Sequence, residues 1–150
     1  MRLTLWTDYA LRALIYVGAK AETASTIAEI AESFDISRTH LMKIVNRLAQ
    51  QGYLDTMRGR GGGIRLARPA SAIRVGAVVR DTEEELAVMG CLGETGFCRI
   101  ERCCVLRRAL HEATSAFLAI LDDYTLADLL APERTLAASL GLFPVTPSAP

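Results

Sequence analysis

The sequence lacks any uncharged run with the length and apolarity of a membrane-spanning helix, although hydrophobic residues make up 51% of its 150 residues. Near the N-terminus, the charged residue Asp8 interrupts the apolar core that a signal peptide would need. These absences predict no interaction with a membrane and a cytoplasmic location. A charged fraction of 23% beside that hydrophobic content also excludes a disordered chain. The length fits one domain with at most a short appendage.

The chain also has no net charge, because 17 basic residues balance 17 acidic residues. A neutral total would argue against a protein that binds nucleic acid. The charge is nevertheless divided, since residues 1–80 carry a net charge of +6 and residues 81–150 carry −6. Within 36–80 there are nine basic residues and one acidic residue, Asp55. The division predicts an electropositive, DNA-binding region that ends near residue 80.

Cysteine is absent from the chain except for one short segment that contains Cys91, Cys98, Cys103 and Cys104. A disulfide scaffold would spread its cysteines, whereas a tight cluster in a reducing compartment indicates a metal or redox site. The CxxC pairs of a zinc ribbon are missing, and thiolates suit iron–sulfur clusters as well as zinc. Because adjacent residues point in different directions, Cys103 and Cys104 are not both expected to bind one cluster. Thiols that sense oxidants, or that are simply buried, are the alternatives.

The chain has only two histidines, and no histidine–aspartate constellation accompanies the cysteines. An enzyme with a cysteine nucleophile needs a neighbouring base to activate the thiol. The sequence therefore predicts that the protein is not an enzyme.

Three helical patterns occupy the first third of the chain. Apolar residues at helical spacing predict a helix over 4–19. Thr26 and Glu29 match a capping box that begins a second helix, and Ser37 is suited to cap a third helix that runs to about Gln51. Two short helices joined by a turn of three to four residues are typical of a helix-turn-helix.

A β-hairpin is predicted directly after the third helix. Residues 53–57 and 64–67 have the pattern of strands, and the basic, glycine-rich segment 58–63 joins them. A hairpin in this position, with a basic tip, corresponds to the wing of a winged helix. Ser71 is suited to cap a fourth helix that continues to about Arg80.

The second half of the chain predicts a long helix over 104–122 and a short one within 124–130. The long helix is apolar on more than one face, which predicts that a second subunit covers it. The predicted fold is therefore mainly α, with a winged helix-turn-helix DNA-binding domain over 1–80 and a small β-hairpin wing. The cysteine loop and a long C-terminal dimerisation helix follow over 81–130, and the proline-containing residues 131–150 form a flexible tail.

The predicted recognition helix presents polar side chains at its N-terminal end, which is the end that enters a major groove. Arginine can pair with a guanine edge, and hydroxyl and lysine side chains can hold phosphates. The predicted DNA-binding residues are Arg12, Ser37, Arg38, Thr39, His40 and Lys43, together with Arg58, Arg60, Gly61 and Gly62 of the wing. A solvated basic helix face and an ordinary tight turn are the alternatives.

Several segments of this sequence resemble the Rrf superfamily of bacterial winged-helix transcription regulators. They are Leu3-Thr4, Thr7-Asp8-Tyr9-Ala10-Leu11-Arg12, Ile27-Ala28-Glu29-Ile30-Ala31, His40-Leu41-Met42-Lys43, Arg58-Gly59-Arg60-Gly61-Gly62-Gly63 and Tyr124-Thr125-Leu126-Ala127-Asp128-Leu129. The resemblance covers about residues 1–130. A loop with three cysteines before a long helix is similar to the iron–sulfur branch of the superfamily, and the nitric-oxide-sensing repressors of that branch look most similar.

The resemblance implies a homodimeric repressor that binds a palindromic operator in double-stranded DNA. It implies one iron–sulfur cluster per subunit, of the four-iron or two-iron form, and release from DNA when nitric oxide reacts with the cluster. Carried over position by position, the ligands are Cys91, Cys98 and Cys104, and Cys103 is an extra cysteine. The alternative is a related regulator that responds to iron or to redox state through the same cysteines, as thiols or with zinc.

Asp8 is a hypothetical fourth metal ligand. Three thiolates leave one coordination position, and a carboxylate from the other subunit would be a weak ligand that nitric oxide could displace. The alternative is an ordinary acidic residue in the first turn of a helix, where it interacts with the helix dipole or pairs with Arg12.

Overall fold

The structure is a computed structural model that describes residues 2–20, 23–57, 59, 62–89 and 98–142. Two strands and seven α-helices are described. They are α1 (Leu5–Ala19), α2 (Ile27–Phe34), α3 (Arg38–Gln50), β1 (Leu54–Met57), β2 (Gly63–Leu66), α4 (Val75–Thr82), α5 (Val105–Asp122), α6 (Leu126–Leu130) and α7 (Glu133–Ser139). The prediction of a mainly α fold with one small hairpin after a helix-turn-helix is confirmed.

Helix α1 forms the centre of the core. Its residues Ala10, Ala13 and Leu14 are completely buried, and the helix packs against α2, α3, α4, α6 and α7. Small side chains let these neighbours approach closely, so one helix can contact five others. The N-terminus of α1 is capped by Thr4, whose side chain accepts a hydrogen bond from the Thr7 amide. This arrangement fixes the position of the first turn, which contains Asp8.

The predicted helix-turn-helix is formed by α2 and α3. Thr26 and Glu29 make both hydrogen bonds of the predicted capping box at the start of α2. The turn places Asp35 in the left-handed region at φ 53° and buries Ile36. The apolar positions of α3 face the core as their spacing predicts. Ser37 is the N-cap residue of α3 as predicted, although its side chain makes no capping hydrogen bond.

The hairpin pairs β1 with β2 in antiparallel register, with Leu54 opposite Leu66. A further bridge joins Ser25 to Ile64, whose amide donates to the Ser25 carbonyl oxygen at 2.7 Å. At Gly63 the backbone has φ 148°, and a Cβ would lie 2.6 Å from the Ala24 Cβ. Glycine is therefore required where the hairpin approaches the start of the helix-turn-helix.

The predicted fourth helix begins later than its sequence pattern indicates. Ser71 lies in the 3₁₀ turn Ala70–Ala72, and α4 starts at Val75. The reason is tertiary, because Ile73 and Val75 exchange backbone hydrogen bonds with Leu126 and Tyr124. Arg74, between the 3₁₀ turn and α4, is held in an extended conformation by a bridge to Thr125.

Helix α5 packs against α4, yet none of its residues is buried. Its half-buried apolar residues Leu110, Phe117, Leu118 and Leu121 lie along one side. A second apolar stripe is exposed, and it consists of Leu106, Ala109, Ala113, Ala116 and Ile120. These residues are separated alternately by three and four positions, which is the spacing of the apolar contact line between two paired helices. The prediction that α5 is apolar on more than one face is confirmed.

The prediction of a flexible tail from residue 131 is wrong for its first half. Residues Glu133–Ser139 form α7, and Ala137 is 2% exposed. The Ser33 hydroxyl donates to the Leu140 carbonyl oxygen at 3.4 Å, so this segment contacts α2. Apolar residues between the prolines give the segment something to bury. The tail beyond residue 142 lies outside the described residues.

Candidate DNA interface and cysteine site

The recognition helix α3 presents a mostly polar face. The predicted residues Ser37, Arg38, Thr39, His40 and Lys43 are all exposed, while the opposite face is anchored by Leu41, Ile44, Val45 and Leu48. Sequence reasoning missed four more exposed residues on this helix, Met42, Asn46, Arg47 and Gln50. They could have been found by continuing the helical period past the first turn.

The C-terminal end of α3 is held against the hairpin by Arg68. Its guanidinium lies 4.3 Å from the centre of the Tyr53 ring and donates to the Gly52 carbonyl oxygen at 3.1 Å. The Tyr53 hydroxyl donates to Asp81 at 2.6 Å. The pKa of Tyr53 is raised, mainly because the side chain is buried and also because of this hydrogen bond. These contacts join the end of α3 and the start of the hairpin to α4.

Part of the predicted wing tip lies outside the described residues, namely Arg58, Arg60 and Gly61. Gly62 is described, and its amide donates to the Gly59 carbonyl oxygen at 3.0 Å across a turn with φ 98° at Gly59. The hairpin therefore reverses direction at this point. The DNA contacts of the wing stay a prediction.

Replacing Lys43 by glutamine should flatten the salt dependence of DNA binding. Lys43 is exposed on α3, and removal of its contact with one phosphate should reduce the slope of log K against log salt by about 0.9. Titrations of a DNA duplex at several salt concentrations measure the slope. Arg134→Gln on α7 removes the same charge from an exposed residue outside α3 and should leave the slope unchanged. Equal slopes for wild type and Lys43→Gln would contradict the phosphate contact.

Asp8 and Arg12 form an ion pair on α1. The Arg12 Nε donates to the Asp8 Oδ1 at 2.9 Å, and the Arg12 guanidinium lies 5.7 Å from the centre of the Phe34 ring. Phe34 is the last residue of α2, directly before the turn into α3. The structure thus connects Asp8 through Arg12 to the helix-turn-helix. The roles of Asp8 in metal binding and of Arg12 in DNA binding stay predictions.

The described cysteines lie at the start of α5. Cys104 is the N-cap of this helix, and its Sγ accepts a hydrogen bond from the Arg107 amide at 3.3 Å. Cys98 is half-buried, whereas Cys103 is exposed and donates to the Ile100 carbonyl oxygen at 3.4 Å. The predicted ligand Cys91 lies outside the described residues. Within the part of the chain that is described, no group of three or more possible ligands is assembled.

The surroundings of Cys103 and Cys104 are basic, although this half of the chain is acidic overall. An open cavity of about 470 Å³ borders both cysteines and is lined by Arg102, Arg107, Arg108 and His111. Positive charges near a group of thiolates offset part of their negative charge. The soft sulfur of Cys104 in these basic surroundings fits an anionic iron–sulfur cluster.

A hydrogen-bond network connects the segment that leads to the cysteines with the start of α1. The Glu83 Oε1 accepts from the Thr4 amide at 2.7 Å, from the Thr4 hydroxyl at 2.9 Å and from the Thr7 hydroxyl. The buried hydroxyls of Thr7 and Thr82 lie 2.9 Å apart and share a hydrogen bond. The first turn of α1, with Asp8, is therefore fixed relative to the segment that follows α4.

The far end of α5 is joined to α4 by Asp122. Its carboxylate accepts two hydrogen bonds from Arg80, at 2.8 and 2.5 Å, and its carbonyl oxygen accepts one from Arg74 at 2.6 Å. The hydrogen bonds from Arg80 lower the pKa of Asp122 and raise the pKa of Arg80. Bidentate pairing of this kind fixes orientation as well as distance.

The exposed polar recognition helix on a winged helix-turn-helix frame defines the chain as a transcription regulator of the winged-helix class. Comparison with known proteins agrees, since the family model described as "Rrf2: Iron-dependent Transcriptional regulator" matches residues 3–132. The chain belongs to this Rrf2 family. None of the described helices is long and apolar enough to cross a membrane.

Individual relatives agree with the family. The HTH-type transcriptional regulator NsrR of Geobacillus kaustophilus (strain HTA426) is 51% identical, and the match covers 93% of this chain and 97% of that protein. The solved structure of T. potens IscR has a TM-score of 0.72 at 24% identity and covers 88% of each chain. That of CymR (YrzC), the global cysteine regulator of B. subtilis, has a TM-score of 0.64 at 25% identity and covers 87% of this chain and 97% of the other. The NsrR and CymR relatives are named as regulators, so the prediction that the chain is not an enzyme is confirmed.

Proposed function

We propose that the chain is a homodimeric iron–sulfur repressor that binds a palindromic operator and leaves it when nitric oxide reacts with the cluster. The observation that carries the proposal is the placement of Cys104 as the N-cap of the exposed helix α5, with the half-buried Cys98 six residues before it. The family's description as iron-dependent and the 51% identity to a regulator named NsrR support it.

The proposed ligands are Cys91, Cys98, Cys104 and, from the partner subunit, Asp8. When bound, a cluster supplies iron that nitric oxide can attack. Cys104 presents a sulfur that already accepts a hydrogen bond, and Cys98 is half-buried within six residues of it. Cys103 is exposed and turned to a backbone carbonyl, which supports its exclusion from the ligand set.

Arg12 couples a change at the cysteine site to the position of the recognition helix. A carboxylate that binds iron shares its negative charge with the metal and attracts a guanidinium less strongly. Arg12, which contacts both Asp8 and Phe34, would then change its position beside the end of α2. Because Phe34 precedes α3 by only a short turn, a small shift there would turn the recognition helix relative to the major groove.

Helix α5 is the proposed dimer interface. Its exposed stripe, from Leu106 to Ile120, has leucine and isoleucine near its ends and alanines between them. Alanines allow two helix backbones to approach closely, and the larger residues supply apolar area. A dimer would place two recognition helices about one DNA turn (~10 bp) apart on a palindromic operator.

The substitution Ala113→Asp should convert the protein to monomers at micromolar concentration. It places a charge in the middle of the exposed stripe, where pairing would desolvate it. Ser115→Asp adds the same charge to an exposed position on the opposite side of α5 and should leave the dimer intact. Sedimentation equilibrium measures the mass of each variant. A dimeric Ala113→Asp protein would exclude this stripe as the interface.

The function is tested by an anaerobic absorbance spectrum during titration with nitric oxide, with operator binding measured before and after. We expect visible iron–sulfur absorption that nitric oxide removes, and a loss of DNA affinity of about 5–150-fold, the usual range of coupling between two sites. A cluster that survives nitric oxide, or DNA affinity that ignores it, would refute the sensing role. A colourless protein with zinc or no metal would favour the thiol or zinc alternative.

A further inference from the structure

Met42 is the exception on the recognition helix. The other exposed residues of α3 are polar, namely Arg38, Thr39, His40, Lys43, Asn46, Arg47 and Gln50, whereas Met42 is apolar and 53% exposed. It lies one turn after Thr39 and one turn before Asn46, so the three side chains share one face. An apolar side chain therefore lies within the surface that would meet the base edges.

The position of Met42 does not serve the core. The core contacts of α3 are made by Leu41, Ile44, Val45 and Leu48, all at most 2% exposed. These residues hold α3 against α1, α2 and β1, which leaves the Met42 side chain turned away from the packed side. Met42 also lies outside the exposed stripe of α5 that the proposed dimer would use.

The floor of the major groove carries polar atoms at each base pair and one apolar group, the 5-methyl of thymine. Arginine, lysine, asparagine and hydroxyl side chains pair with the polar atoms. An apolar side chain gains from contact with the methyl group, because the contact removes both apolar surfaces from water. Methionine is unbranched and adaptable, so it can follow a methyl group whose exact position depends on how the helix docks.

We propose that Met42 selects thymine in each half-site of the operator by contact with its 5-methyl group. The inference rests on the DNA binding proposed above and adds a specificity-determining residue to it. Removal of one thymine methyl group from this contact should weaken binding about fourfold, the effect of exposing one buried carbon group. Removal in both half-sites should weaken binding roughly fifteenfold if the two subunits act independently.

The test begins with a duplex that the wild-type, cluster-loaded protein selects from a random library. Each thymine of that duplex is then replaced by uracil, which keeps the base pairing and removes only the methyl group. Wild type should lose affinity at one symmetric pair of positions. Met42→Gln, similar in length but polar, should bind thymine and uracil duplexes equally at that pair. Met42→Leu should keep the preference.

Met57→Ala is the matched control, because Met57 is also exposed, at 63%, but lies on strand β1 of the hairpin. The methyl of thymine is not displayed in the minor groove, so a wing in that groove cannot read it. Met57→Ala should keep the ratio of thymine to uracil affinity. Wild type that binds every uracil duplex as well as the original, or Met42→Gln that keeps the preference, would overturn the inference. Failure to select any duplex would overturn the proposed DNA binding itself.

Discussion

Replacing Cys104 by serine should abolish cluster binding, whereas replacing Cys103 by serine should not. Cys104 is the N-cap of α5, and serine is a preferred N-cap residue, so the helix should begin normally in both variants. The two substitutions are adjacent and chemically identical, which makes each the control for the other. Iron and sulfide per subunit after anaerobic reconstitution measure the cluster, and circular dichroism measures the fold. We expect full occupancy for Cys103→Ser and almost none for Cys104→Ser.

Cys98→Ser and Cys91→Ser should behave as Cys104→Ser does. A cluster in folded Cys104→Ser, or its loss in folded Cys103→Ser, would show that the wrong member of the adjacent pair has been assigned.

Asp8→Ala should retain iron through the three thiolates but change the absorbance spectrum. An unchanged spectrum together with an unchanged response to nitric oxide would exclude Asp8 as a metal ligand and leave it only its ion pair with Arg12.

Gly76→Ala should destabilise the protein by about 2 kcal/mol, as overpacking of a closely packed site does. A Cβ at Gly76 would overlap the Asp122 carboxylate and lie 3.0 Å from the Asp122 amide nitrogen. The carboxylate cannot simply move aside, because Arg80 holds both of its oxygens. The substitution should therefore loosen the junction of α4 and α5. Urea unfolding at matched protein concentration measures the free energy.

A double-mutant cycle with Asp122→Ala tests the cause of this effect. Removal of the carboxylate makes room for the added methyl group, so Gly76→Ala should cost less free energy in the Asp122→Ala background than in the wild type. Equal costs in the two backgrounds would mean that Gly76→Ala acts on the helix backbone and not through Asp122.

The local elements could be predicted from the sequence because their signals are local. The capping box of Thr26 and Glu29 depends on residues three positions apart, and the buried face of α3 follows from its period. The start of α4 could not be predicted, since Ser71 has the right chemistry for a cap but Tyr124 and Leu126 hold the intervening backbone extended. Helix α7 was missed for a related reason, because the prolines around it suggest disorder, whereas its packing against α1 depends on residues far away in the chain.

The candidate site divides in the same way. The sequence alone identified the basic recognition helix and the cysteine segment, because residue type and spacing determine what each can bind. Its total charge is neutral because two halves of opposite sign, divided at about residue 81, cancel each other. The tertiary structure alone brought Arg12 to Phe34 and joined Glu83 to Thr4. Such pairings depend on how helices pack, and packing is decided by contacts between residues far apart in the chain.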